Sequence, residues 1–268
     1  MNSGIKGAVF FDYDGTLTDE IARIPVPTKG TLEAIALLRK NGYLAILATG
    51  RAECYASGTG IVFDGMVTSN GTHAAVNGEV ILDRPIPPEI LDPYVEYMDA
   101  HNIVYGIDHP VSCYARDKSD PFYLDWAEYF SLPLEVYHET APGEKIRGYK
   151  VSALYRDAAE LEGMRANFGN VLEFTSVSGY NCLDVGEKGS NKSDGVRAVI
   201  SHFGIARENT YAFGDGLNDA EMFRAVGHPV AMGRHAPALD AIAEYVTGTV
   251  AEDGIANALR HYGLIGKE

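Results

Sequence analysis

The sequence predicts an α/β fold, a Rossmann-like parallel-sheet core interrupted by an inserted α+β segment. Three observations predict it. Apolar runs of strand length end in acid clusters at Asp12 and at Asp215, far apart in the chain. Helical patterns alternate with such runs at both ends of the sequence, as in a parallel sheet. Between Leu82 and Val185 the alternation gives way to helices with paired strands. The core is therefore expected over 1–81 and 186–268, and the insertion over 82–185.

The elements follow in order. Ala8 to Phe11 reads as a buried strand. Pro25-Val26-Pro27 closes a loop, and Thr28 can cap a helix whose Leu32, Ile35, Ala36 and Leu38 lie mainly on one side. Asn41-Gly42 ends that helix before the strand Leu44 to Ala48, completing a βαβ unit. Val67 to Val80 reads as a short strand and a hairpin turning at Asn77-Gly78. Pro85, Pro87 and Pro88 mark the boundary of the insertion. Within it the pattern predicts helices over 89–100, 121–130 and 157–167, and strands near 103–108, 111–116, 147–155, 171–176 and 180–185. The core resumes at Gly189 with a helix to Phe203, a strand before Asp215 and a helix from Leu217.

Bulk properties describe a soluble globular protein. The 268 residues suffice for two domains. The 46% hydrophobic and 22% charged residues are ordinary for such a chain. A formal net charge of -15 argues against a nucleic-acid or anionic-membrane partner, because phosphate surfaces select lysine and arginine. Cys54, Cys113 and Cys182 are odd in number and widely spaced, and are read as reduced thiols of a cytoplasmic protein, with Cys54 a packed thiol. The apolar run 8–11 is too short for a signal-peptide core, and no stretch approaches a membrane span.

The chemistry is concentrated at the strand ends. Asp12 and Asp14 stand in A-V-F-F-D-Y-D-G-T-L-T-D, Asp215 and Asp219 in Y-A-F-G-D-G-L-N-D-A. In an open parallel sheet, ligands sit beyond the carboxyl ends of the strands. Carboxylates gathered there repel as they ionise, so the site calls for a divalent cation, magnesium. Asp12 and Asp14 are separated by Tyr13 alone, so one can attack phosphorus while the other donates a proton to the leaving oxygen. Gly15 permits the sharp turn that follows.

Here the chain resembles the haloacid dehalogenase superfamily of aspartate-nucleophile phosphatases, whose first motif is D-x-D-G-T followed by L-x-D. The resemblance implies that Asp12 is the nucleophile, Asp14 the acid/base and Asp19 a structural acid. It places Thr49 and Gly50 of T-G-R on the phosphate oxygens, and Lys192 where a lysine neutralises nucleophile and phosphate. In G-D-G-L-N-D it makes Asp215 a metal ligand beside Asp12 and Asp14, puts Asn218 near metal or phosphate, and leaves Asp219 supporting from behind. Ser69-Asn70-Gly71, Asn77-Gly78, the stretch 230–233 and the stretch 251–256 look like the Cof-type branch, which hydrolyses sugar phosphates and other small phosphate esters. Two departures stand out: Ser193 follows the lysine where glycine is usual, and Arg234-His235 replaces Asn-Ala after Met232-Gly233.

In that branch the insertion is the large α+β cap. A core that grips phosphate cannot choose the rest of the substrate, so selection is expected from the cap. The segments singled out are Tyr114 to Asp117 and Ser178 to Asn181, with Arg116, Tyr180 and Asn181 as specificity residues. His73, Tyr94 and Tyr97 are read as structural. The expected activity is magnesium-dependent hydrolysis of a small phosphorylated metabolite through an aspartyl phosphate. A phosphomutase using the same chemistry, or a non-catalytic phosphometabolite-binding protein, is the alternative. Gly186 to Ser193 nearly spells the phosphate loop G-x-x-x-x-G-K-S, but Asn191 stands where that loop needs glycine.

Overall fold

The computed structural model describes residues 4–56, 59–141, 143–177 and 179–266. In chain order the elements are β1 (Gly7–Phe11), α1 (Lys29–Lys40), β2 (Tyr43–Ala48), α2 (Glu53–Ala56), β3 (Gly65–Thr68), β4 (His73–Val76) and β5 (Glu79–Asp83). Next come α3 (Pro88–Ala100), β6 (Val104–Asp108), β7 (Cys113–Ala115), α4 (Pro121–Tyr129), β8 (Tyr137–Glu139), β9 (Lys150–Leu154), α5 (Ala158–Phe168), β10 (Leu172–Ser176) and β11 (Cys182–Glu187). The chain closes with α6 (Lys192–Phe203), β12 (Thr210–Gly214), α7 (Ala220–Ala225), β13 (His228–Ala231), β14 (Tyr245–Val246) and α8 (Gly254–His261). Among the described residues no helix is long and apolar enough to cross a membrane.

The chain forms two compact units. The first holds Met1–Gly50, Ala56–Asp83 and Asn191–Glu268; the second holds Arg51–Tyr55 and Arg84–Ser190. Arg51–Tyr55, which the sequence reading kept with the core, thus groups with the insertion.

The first unit is built on an eight-stranded sheet of order β14-β13-β12-β1-β2-β3-β4-β5. It is parallel from β14 to β3, and β4 and β5 add an antiparallel edge. Both faces of its centre are covered, which is why β1, β2 and β12 are mainly apolar and buried, whereas the edge strand β5 carries Glu79 and Asp83 and is largely accessible. Val9 and Phe11 pack with α1 and α8, while Ala8 and Phe10 pack with α6 and α7. Thr28 caps α1 by accepting from the Thr31 amide, as its sequence position predicts. Asn77 and Gly78 both have positive φ, the conformation a two-residue hairpin turn requires.

The second unit carries a six-stranded sheet of order β10-β11-β9-β6-β7-β8, antiparallel except for the β7–β8 pair. α3 and α5 cover one face through Leu91, Tyr94, Met98 and Met164. On the other, Tyr123 and Trp126 of α4 pack with Ala52, Tyr55 and Cys113. Tyr94 and Tyr97 each meet the Phe168 ring edge to face, so both belong to packing. Gly186 and Glu187 end β11, an antiparallel strand of this second sheet; a phosphate loop joins a strand to its helix within a parallel sheet, so that reading fails on topology as well as on Asn191.

Candidate active site

Register brings the motifs to one edge. Phe11 pairs with Leu47 on one side and with Phe213 on the other. Asp12, Thr49-Gly50 and Asp215 therefore leave three neighbouring parallel strands at the same carboxyl end. Beneath them the Phe11 and Phe213 rings stack at 5.2 Å. The Asp12 amide donates to the Phe213 carbonyl, extending the β1–β12 ladder to the first acid itself.

At the centre Lys192 Nζ donates to Asp12 Oδ1 at 2.5 Å and to Asp219 Oδ1 at 2.7 Å. Its side chain is wholly buried. Lys192 opens α6, whose first turn is fixed by a capping box between Asn191 and Asp194. The other Asp219 oxygen accepts the amides of Asp215 and Gly216, so that carboxylate is fully engaged in holding the loop after β12. Thr16 Oγ1 donates to Asp215 Oδ1 at 3.4 Å. Gly15 has φ of +79°, and a Cβ there would lie 2.2 Å from Asp215 Oδ2, so glycine is required both for the turn and for the approach of the two loops.

Electrostatics are dominated by burial. It raises the Asp12 carboxyl well above the usual carboxylate range, with the Asp219 charge adding to the shift and Lys192 opposing it. Burial, then Asp219, pushes Asp215 up to about 7. Lys192 is held charged by its two carboxylates in spite of burial, which acts the other way.

Asp12, Asp215 and Asp219 each offer an oxygen within 4.8 Å of the others. Three carboxylates against one lysine leave the ionised cluster two charges negative, and hard oxygen donors suit a divalent ion such as magnesium. Because both Asp219 oxygens are already taken by protein donors, Asp12 and Asp215 are the side chains best placed to hold it.

The remaining candidates are distributed as follows. Asp14 is partly exposed and bridges to Thr18. Thr49 is fully buried, with its amide on the Val67 carbonyl, and Gly50 follows in a bend. Asn218 is exposed in a short 3-10 turn that follows Asp215. In the second unit Arg116 pairs with Asp99 at 3.2 Å and reaches Asn102. Tyr180 donates to Asp125 at 2.7 Å and stacks on Phe122. The carbonyl of Asn181 accepts from Tyr155. Phe122, Asp125, Tyr180 and Asn181 line an open depression, and Ser178 lies outside the described residues. His73 meets Thr68 Oγ1 across the β3–β4 pair, a structural contact.

Two arrangements escaped the sequence reading. Arg234 donates to both oxygens of buried Asp19, at 2.9 and 3.0 Å, tying the loop after β13 to the loop after β1. The basic residue in place of asparagine was the available signal. In the second unit Lys150 lies 3.0 Å from Asp184 and 3.3 Å from Asp108, which also accepts from Tyr55. The sheet supplies the geometry, since Asp108 is directly opposite Lys150 and Asp184 is diagonal to it.

Residues 9–259 match the haloacid dehalogenase-like hydrolase family. The chain is 31% identical over 266 residues to YkrA of Bacillus subtilis (strain 168), covering 96% of this chain and 98% of YkrA. It is 28% identical over 274 residues to the HMP-PP phosphatase of Yersinia enterocolitica, covering 94% and 93% of the two. Among solved structures, the sugar phosphatase BT4131, of subclass IIB, superposes with a TM-score of 0.82 at 26% identity, over 97% of this chain and all of that one.

Proposed function

The chain belongs to the haloacid dehalogenase-like hydrolase family, and we propose that within it the chain is a magnesium-dependent phosphatase of small phosphorylated metabolites, sugar phosphates among them, working through an aspartyl phosphate. The observation that carries this reading is Lys192 bridging Asp12 and Asp219 at the carboxyl edge of the sheet. A lysine buried between two carboxylates fixes the orientation of the acid it touches and offsets charge where an anion must approach another anion. Such a site suits attack by a carboxylate on a phosphoryl group.

In this mechanism Asp12 is the nucleophile. Asp14 protonates the departing alkoxide and, once ionised, draws a proton from the water that hydrolyses the aspartyl phosphate. Thr49, Gly50, Lys192 and Asn218 hold the phosphate. Asp12, the Asp14 backbone carbonyl and Asp215 would hold magnesium, which when bound screens the negative charge gathered on nucleophile and phosphoryl group. Arg116, Tyr180 and Asn181 are proposed to contribute to substrate choice. The names of the relatives support a phosphorylated metabolite as substrate, since one is an HMP-PP phosphatase and one a sugar phosphatase.

The test is the first acid. Asp12→Asn is expected to abolish both aryl-phosphate turnover and trapping of a phosphoenzyme, while retaining the fold. Asp14→Asn is expected to slow turnover by roughly 100- to 10,000-fold, the usual range for general acid/base help. Turnover at the wild-type rate in Asp12→Asn would overturn the covalent route.

A further inference from the structure

Two of the three cysteines, 59 positions apart in sequence, meet in the second unit. The Cys54 and Cys113 sulfurs are 3.5 Å apart. Cys54, on α2, is partly accessible, whereas Cys113, on β7, is fully buried. We propose that Cys54 is a peroxide-sensitive modification site and that Cys113 is its resolving thiol, the pair closing to a reversible intramolecular disulfide.

The surroundings make the two thiols unequal. As thiols, Cys54 donates to the His109 carbonyl at 3.5 Å and accepts from Cys113. The hydrogen bond from Cys113 shifts Cys54 toward its thiolate, with burial opposing. The same bond, burial and the nearby Asp108 charge all hold Cys113 in its thiol form. The accessible sulfur is thus the one favoured as nucleophile, and the sheltered sulfur keeps its proton until it is needed.

The chemistry balances with a hydroperoxide as the named oxidant. The Cys54 thiolate attacks one peroxide oxygen and the O–O bond breaks, leaving a sulfenic acid on Cys54 and, after protonation, one molecule of water or alcohol. The Cys113 sulfur then displaces that hydroxyl, which leaves as water with the Cys113 proton. Two electrons pass from the thiol pair to the peroxide.

Closing the pair leaves the adjoining network satisfied. Cys113 also approaches Asp108, at 3.8 Å, but Asp108 retains Tyr55 and Lys150 as partners when the thiol proton is lost. Oxidation therefore strands no buried carboxylate. Cys182, buried on β11 with its sulfur directed at the Leu183 carbonyl, serves as an internal control.

The experiment treats the reduced full-length protein with hydrogen peroxide, blocks remaining thiols with an alkylating reagent and maps cysteine states by mass spectrometry. The expected product is a monomer lighter by two hydrogens before blocking, with Cys54 and Cys113 peptides linked and Cys182 alkylated, all reversed by dithiothreitol. Linkage should form at least roughly tenfold faster than Cys182 is modified, as differing thiolate character and access dictate. In Cys113→Ala the sulfenic acid on Cys54 should persist and be captured by dimedone. Three alkylated thiols after treatment, linkage through Cys182, linkage between two chains, or equal rates at all three cysteines would each overturn the proposal. The wild-type map alone decides the matter if the buried substitution impairs folding.

Discussion

Lys192 carries its charge between Asp12 and Asp219 with no exposed side-chain surface, so its removal acts on stability and on chemistry together. Lys192→Ala leaves two buried carboxylates without their cation, and breaking such a cluster costs about 3–5 kcal/mol. The expected result is a lower unfolding midpoint that added magnesium partly recovers, with turnover impaired on every phosphomonoester. Unchanged stability would mean that water or a rearranged side chain replaces the lysine. A second outcome follows from Asp215, whose carboxyl is pushed up to about 7. Between the ordinary carboxylate range and that value, the folded metal-free chain keeps a proton that the unfolded chain has lost. Its stability therefore falls as pH rises through that window, by up to about 1.4 kcal/mol per pH unit. Raised Asp12 acts in the same direction. Unfolding measured in a chelator from about pH 4 to about pH 8 should show the decline, and magnesium should restore more stability at the alkaline end, where the proton no longer competes for the carboxylates. At this scale the strand-end positions of Asp12 and Asp215 were legible, because an apolar run that breaks into acids marks the edge of a parallel sheet. The Arg234–Asp19 pair was not, because its partners lie 215 positions apart and only the folded loops make them neighbours.

Among the elements, the turn Ser69-Asn70-Gly71 between β3 and β4 holds three successive residues at positive φ, 49°, 54° and 92°. Left-handed backbone costs a residue with a side chain roughly 1–2 kcal/mol, so the turn is maintained by what surrounds it. Its Asn70 amide donates to the Thr49 carbonyl, and the Thr72 hydroxyl donates to the Ser69 carbonyl. Gly71 lies so close to the start of α6 that a Cβ would sit 2.2 Å from the Asn191 carbonyl oxygen and 2.7 Å from Lys192 Cα. Gly71→Ala is therefore expected to destabilise the protein by more than about 1 kcal/mol. It should also lower kcat more than it raises KM, because the backbone that must yield carries Lys192. Loss of stability with kcat intact would separate the turn from the lysine. The sequence revealed elements in proportion to the strength of their punctuation. The α1 cap at Thr28 and the β4–β5 turn at Asn77-Gly78 announce themselves by residue type. β8, of three residues reading Tyr-His-Glu, shows no alternation long enough to detect and owes its pairing to β7.

For the whole molecule, the proposed division of labour between catalysis and substrate choice can be measured. Tyr180→Phe removes the hydroxyl bond to Asp125 but preserves the ring on Phe122, and Asn181→Ala removes an amide from the same depression. Both should reorder the preference among phosphorylated sugars while aryl-phosphate turnover stays within about twofold, since a lost polar contact to substrate is worth on the order of 1 kcal/mol. Equal losses on all substrates would assign these residues to folding. Arg116 already serves Asp99 and Asn102, so Arg116→Ala is expected to loosen the end of α3 as well.

The chain passes between its two units at 50/51, 55/56, 83/84 and 190/191, and the first excursion is only five residues long. Ala52 and Tyr55 of that short excursion are buried among Val104, Cys113, Tyr123 and Trp126, and the Tyr55 hydroxyl is spent on Asp108. The insertion is therefore no cassette. Excising 84–190 would leave a buried tyrosine and its neighbour on the surface of the remnant, and transplanting 84–190 into another scaffold would leave an apolar slot and a less well-partnered aspartate. A recombinant exchange of this unit between relatives should therefore succeed only when 51–55 travels with it, so that the unit moves as two segments at once.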